Sequence, residues 1–201
     1  MKLKAAAAML LLLTCAAARA QVKPLEIIDG HLGISFVPTK GAARLGEDEA
    51  ARLSTAGRYL KAAFRGPGNE TLLVLNTLDA APNGLSEDAS VKSREELMKW
   101  LESEVTTSFP GAEWMAREVK SIDGPLWIHL RYKAAKAGRD VVSDTYAITW
   151  FGRVIVFDYL CPAEVFERQR VAFEKSASSI RLTLFAFGPP PQEVKPRGRK
   201  P

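Results

Sequence analysis

Between Val141 and Ile180 the apolar positions change period once, and the change marks the junction of two elements. Thr145 to Trp150 and Val154 to Leu160 are runs of β-branched and aromatic residues, the side chains that fit a pleated surface, with Gly152 between them. The pattern predicts a β-hairpin. After Cys161 and Pro162 the repeat lengthens to about 3.6 residues. Phe166, Gln169, Phe173, Ala177 and Ile180 then line one side of a predicted helix. A sheet face and a helix stripe exclude water only against a partner, so this stretch is half of a layered α+β core.

Upstream, His31 to Val37 predicts a first strand stopped by Pro38. Glu47, Asp48 and Glu49 open a predicted helix with acidic residues where the helix dipole favours them. Leu53, Ala56, Leu60, Ala63 and Phe64 continue it at helical spacing as far as Gly66-Pro67-Gly68. Thr71 to Thr77 is almost wholly apolar and bounded by turn residues, as in a strand covered on both faces. A loop with Asn83-Gly84 follows. The Ser93-x-x-Glu96 spacing predicts a capping box for a helix that buries Leu97, Trp100, Leu101 and Val105 and ends before Pro110-Gly111. Antiparallel strands then run from Trp114 to Val119 and, past Asp123-Gly124, from Leu126 to Ala134. In the second of these, Leu126, Ile128, Leu130 and Tyr132 alternate with Trp127, His129, Arg131 and Lys133, and the first set is expected to face the core. Ala137-Gly138-Arg139-Asp140 turns the chain into the hairpin, and Arg181 to Phe187 can extend past the final helix as a last strand.

The two ends read differently from the body. Residues 1–20 carry Lys2 and Lys4, an apolar run from Ala5 to Leu13, and Ala18-Arg19-Ala20. These are the three regions of a secretory signal peptide, with cleavage predicted after Ala20. The apolar run is shorter than the roughly 20 residues of a permanent span, so the expected location is periplasmic or secreted. A competing leader reading takes Leu12-Leu13-Thr14-Cys15 as a lipoprotein signal with Cys15 acylated, although Thr14 is bulkier than the small residue such sites carry. From Gly188 the sequence becomes proline-rich and basic, which predicts an extended, disordered tail over residues 188–201. That tail is a candidate for weak contact with anionic lipid or with a protein groove. Residues 21–187 are of ordinary single-domain size.

Composition changes the picture in two ways. Removing the leader leaves Cys161 as the only cysteine, so no intramolecular disulfide supports the fold. The formal charge of +5 comes from the ends: three of the 28 basic residues lie in the leader and four in the tail, leaving 21 basic against 22 acidic residues in the body. A near-neutral body has no excess of basic charge to neutralise phosphates, which sets nucleic-acid binding aside.

The run FPGAEWMAREVKSIDGPLWIHL, then DTYAITWFGRVIVFDYLCP, then a helix ending in Ser178-Ser179-Ile180 resembles the PsbP-like family. The resemblance is good over residues 109–180 and looser from Gln21 to Thr77, where the predicted helix stands in a place of β-structure. It implies an α/β/α sandwich around a central antiparallel sheet, a fold shared with a nuclear Ran-binding factor of the same superfamily. The family's plant members are accessory and assembly subunits of photosystem II. The implication is a binding or accessory module, not an enzyme, and no cofactor-binding residue carries over.

Candidate chemistry is sparse. Cys161 stands between a predicted strand and a predicted helix, where a helix N-terminus could lower a thiol pKa, and His129 is the candidate base. The opposing reading makes Cys161 a small buried apolar residue. His31, His129 and Cys161 have no metal-ligand spacing, and Glu47, Asp48 and Glu49 read more simply as a first helical turn than as a calcium site. Trp127, His129, Arg131 and Lys133 form a candidate ligand or partner surface for an anionic partner, against a bland reading as a sheet face covered by a helix at one end and solvated at the other. No phosphate-loop, nucleophile-elbow or dinucleotide pattern occurs. The sequence therefore predicts an exported binding or accessory protein of the bacterial envelope without a cofactor, its partner an envelope protein or a small ligand. The alternative is a cysteine-dependent enzyme using Cys161.

Overall fold

The computed structural model describes residues 26–29, 33–53, 58–80, 83–85, 90–136 and 138–183. The leader with Cys15, His31 and the tail 188–201 lie outside these residues. In chain order the elements are β1 (Glu26–Asp29), β2 (Ile34–Phe36), β3 (Ala43–Arg44), α1 (Glu47–Ala51), β4 (Tyr59–Arg65) and β5 (Leu72–Asp79). They continue with α2 (Val91–Ser108), β6 (Glu113–Ser121), β7 (Leu126–Lys136), β8 (Arg139–Trp150), β9 (Arg153–Pro162), α3 (Phe166–Ala177) and β10 (Arg181–Leu182). Seven strands form one antiparallel sheet in the order β3-β4-β5-β9-β8-β7-β6, and β1-β2-β10 form a small second sheet.

Both faces of the large sheet are covered, which gives the α/β/α sandwich. On one face Ile34 and Phe36 of β2 pack with Phe166, Phe173, Ala177 and Ile180 against Trp127, Tyr146, Phe157 and Tyr159. On the other, Leu97 and Leu101 of α2 pack with Ile128, Leu130, Ala147 and Val156. Each large apolar side chain so buried contributes about 1.5–3 kcal/mol, so these two cores supply most of the stabilisation of the sandwich. The Ser178-Ser179-Ile180 ending joins the layers. Ser179 Oγ accepts from the Val37 amide at 2.8 Å, Ser176 Oγ donates to the Val37 carbonyl at 2.7 Å, and Ile180 is buried.

The central hairpin forms as its period of two requires, with β8 and β9 paired from Val141↔Pro162 to Trp150↔Arg153. Phe151 and Gly152 make its two-residue turn at φ of 48° and 72°, the left-handed pair that matches strand twist.

Three local expectations are corrected. The helix expected from Glu47 to Phe64 is only the five-residue α1, and β4 takes the rest. Leucine and alanine at 60, 62 and 63 suit either period. The strand wins because pairing with β5 satisfies the backbone while Ala62 and Phe64 enter the core. The α2 cap is Ser90, whose side chain accepts from the Ser93 amide at 3.1 Å, and Ser93 itself is buried one turn inside the helix. Leu126 is 40 % exposed, because it begins β7 at the end of the sheet.

Candidate functional site

Strand β7 carries the four residues expected to form a ligand surface, and the fold separates them. Trp127 is fully buried and meets Phe157 edge-on at 6.0 Å. His129 is also fully buried, and only 12 % of the Arg131 side chain is exposed, because α3 lies over this face. Lys133 is the outer member, paired through Nζ with Asp140 at 2.8 Å. The expectation of one accessible surface is therefore corrected: burial removes Trp127 and His129 from it.

What the face holds instead is an ionic network. Cross-strand register sets Glu118 of β6 opposite His129 and Arg131 opposite Asp144 of β8. Asp144 Oδ1 lies 2.6 Å from His129 Nε2 and accepts from Arg131 Nε at 3.1 Å, and Asp144 Oδ2 accepts from Arg131 Nη2 at 3.2 Å. His129 Nδ1 lies 2.9 Å from Glu118 Oε1, and its ring stacks on Tyr146 at 4.5 Å. Arg131 reaches on to Glu174 of α3 at 3.2 Å and lies over the Phe166 ring at 5.0 Å. The network thus clamps α3 onto the sheet.

The electrostatics fit a clamp. For Asp144, burial is the largest influence and pushes its pKa up, but the hydrogen bonds and charges of His129 and Arg131 together outweigh it and hold the carboxyl below its ordinary range. The His129 hydrogen bond, with Lys120 assisting, likewise lowers Glu118. Both carboxylates are then ionised acceptors at neutral pH, and the two imidazole nitrogens are spent on them.

Cys161 lies at the far end of β9, cross-strand from Val142, and is 3 % exposed within the core. Helix α3 begins only at Phe166, after a single helical turn at Ala163–Val165, so the thiol does not sit at the helix N-terminus. Burial, with Asp144 and Glu164 adding to it, pushes the thiol pKa up to about 12. That is opposite to the activation the cysteine-enzyme alternative needs and fits Cys161 as a small buried apolar residue, and His129, held by two carboxylates, is not disposed to act as its base. Among the described residues no group of three or more His, Cys, Asp or Glu side chains converges as a metal site would require.

An open cleft of about 550 Å³ lies instead between α1 and β4. It exists because β3 pairs only Ala43 and Arg44 with the far end of β4, leaving the outer side of β4 from Tyr59 to Ala62 beyond it. A register shift in β4 between Leu60 and Ala62 further distorts this margin. An Arg65–Glu49 ion pair anchors α1 beside the strand. The polar lining is Arg44, Arg58, Lys61 and Glu47, over a floor of Leu45, Leu60 and alanines, with the exposed Tyr59 ring at the side. Arg44 Nη2 donates to the Lys61 carbonyl at 3.5 Å, and Arg58 faces Glu104 of α2 at 3.5 Å. Sequence reading missed this cleft because it continued the α1 helix through β4. The available signals were Gly57 within the predicted helix and the alternation of Tyr59, Lys61 and Ala63 with Leu60, Ala62 and Phe64.

No protein-family model and no curated protein matches the sequence, so likeness is carried by three-dimensional structure. The cyanobacterial PsbP protein CyanoP of Synechocystis sp. PCC 6803 superposes with a TM-score of 0.56 at 17% identity, covering 82% of this chain and 96% of that one. LpqN of Mycobacterium tuberculosis, described as involved in cell envelope biogenesis, gives 0.51 at 13% identity over 75% of this chain and 83% of its own. PA94 of Pseudomonas aeruginosa, a protein of unknown function, gives 0.50 at 17% identity over 71% and 97%. The fold is PsbP-like.

Proposed function

We propose that this chain is an exported accessory protein of the bacterial envelope that works by non-covalent recognition, with the cleft between α1 and β4 as its recognition site. The observation that carries this reading is where the reactive groups lie. Cys161 is in the packed interior, and His129 is held by Glu118 and Asp144, whereas the open cleft is lined by side chains suited to grip a ligand. Support for location comes from the leader pattern of residues 1–20 and from the fold shared with LpqN, a protein described as acting in cell envelope biogenesis.

The partner is an envelope protein or a small ligand, and the tail 188–201 is a second, weaker point of contact with protein or membrane. Crosslinking in cells, with and without residues 188–201 and with Lys61→Glu, tests the reading. A specific envelope component bound by the wild-type chain and lost in Lys61→Glu supports it. Loss on truncation alone moves recognition to the tail, and capture unaffected by either change removes the cleft from the proposal. The mass of the mature N-terminus tests export: Gln21 at the start fits the leader reading, and an acylated Cys15 fits the lipoprotein one.

A further inference from the structure

We infer that the ligand of this cleft is a small amphiphilic anion, its carboxylate held among Arg44, Arg58 and Lys61 and its short apolar part laid on Leu45 and Leu60. The inference rests on the recognition reading above and names the ligand class for the same site. A volume of about 550 Å³ lies within the span of small-molecule pockets, about 300–1,000 Å³. Three of the four charged lining side chains are cationic, and the remaining one, Glu47, belongs to α1. The two arginines stand at the cleft rim, Arg44 donating to the Lys61 carbonyl and Arg58 facing Glu104 of α2. A ligand carboxylate meets a guanidinium or an ammonium at about 2.7–2.9 Å in charge-assisted hydrogen bonds, and three such cations line this cleft. The floor sets the other half of the ligand: Leu45, Leu60 and alanines offer no polar side chain to a sugar or peptide-like group but would exclude water with a short alkyl chain. A cationic ligand meets like charge, and an uncharged one covers the cationic groups without offering them an opposite charge.

Amide spectra of the full exported chain, titrated separately with octanoate, octylamine, octan-1-ol and inorganic phosphate, test this. Octanoate is expected to give saturable shifts at Tyr59 to Ala63 and at Arg44 and Leu45, phosphate weaker shifts at the same amides, and octylamine none. A Lys61→Gln, Arg44→Gln double variant should weaken octanoate about tenfold or more, as loss of charge-assisted hydrogen bonds requires, with an unchanged thermal midpoint. Lys61→Arg alone should keep binding and guards against a merely structural loss. Octylamine or octanol binding as tightly as octanoate, or octanoate indifferent to the double variant, would overturn the anionic class while leaving the cleft as the site. Phosphate binding as tightly as octanoate would overturn the amphiphilic part. If no probe moves these amides, the cleft reading falls as well.

Discussion

Replacing Asp144 with alanine removes the carboxylate that His129 and Arg131 share beneath α3. Three contacts go, at 2.6, 3.1 and 3.2 Å, each to a cationic or ring N–H partner and each contributing about 1.5–3 kcal/mol before desolvation is counted. Removing the carboxylate also removes its own desolvation cost, which offsets part of that sum. The larger effect is on what stays behind. His129 remains fully buried and Arg131 nearly so, with only Glu118 and Glu174 left to them at the edges of the network. Breaking a buried pair from one side costs about 3–5 kcal/mol, a large share of a domain stability of about 5–15 kcal/mol. With a urea slope of about 2 kcal/mol/M, the unfolding midpoint should fall by roughly 2 M. Urea titration at pH 7, read by tryptophan fluorescence, measures it. The double variant Asp144→Ala, Arg131→Met should recover part of the loss, because the stranded guanidinium goes too. A loss below about 1 kcal/mol for Asp144→Ala would refute the clamp.

The same groups set the acid response. Glu118 and Asp144 have folded-state pKa values below their ordinary range, so their stabilisation is fully present above the unfolded carboxylate pKa near 4 and is lost as pH falls through the lower folded values; stability measured by urea midpoint should hold to about pH 5 and fall below pH 4. Asp158 has the opposite sign: burial raises its pKa despite hydrogen bonds from Ser143 and Thr145, so Asp158→Asn, which keeps an acceptor for both hydroxyls, should leave stability at pH 7 unchanged or higher. Cys161 should react with iodoacetamide at pH 8 far more slowly than free cysteine and reach the free rate only in urea; a native rate at or above that of free cysteine would sink the buried-thiol reading. Gly33→Ala should destabilise by more than about 1 kcal/mol, because φ there is +60° and a Cβ would lie 2.2 Å from the Thr183 carbonyl oxygen; thermal unfolding unchanged in that variant would contradict the β2–β10 junction.

How much of this was legible in the sequence depended on whether a signal was local. The β8–β9 hairpin and α3 were legible because each carries its own period over six residues or more, and β5 because its apolar run is bounded by turns. Strand β4 was not, since leucine and alanine spaced at 53, 56, 60 and 63 satisfy a helical template, and the decision falls to pairing with β5. The polar side of β7 looked like a surface because alternation cannot say whether a second layer covers the other face. Its burial comes from α3 lying over it, and its pairing from register: Glu118 meets His129 and Arg131 meets Asp144 only once β6, β7 and β8 are aligned. Cys161 was legible as a small buried apolar residue, while the helix expected just after Pro162 begins there only as a single turn at Ala163–Val165, with α3 following from Phe166. The cleft needed both the shortness of β3, which has no sequence signature, and the true end of α1, for which Gly57 and the alternation over residues 59–64 were only weak signals.

The central claim is that recognition occurs at the cleft and that the interior network only holds the fold. Amide spectra of the chain from Gln21 onward in soluble envelope extract from its own host, compared with buffer, test this most directly. The expected result is change concentrated at Arg44 to Ala51 and Tyr59 to Ala63, with His129, Arg131, Asp144 and Cys161 unmoved. Change centred on His129, Asp144 and Cys161, with the cleft silent, would contradict it and return the chemistry to the interior.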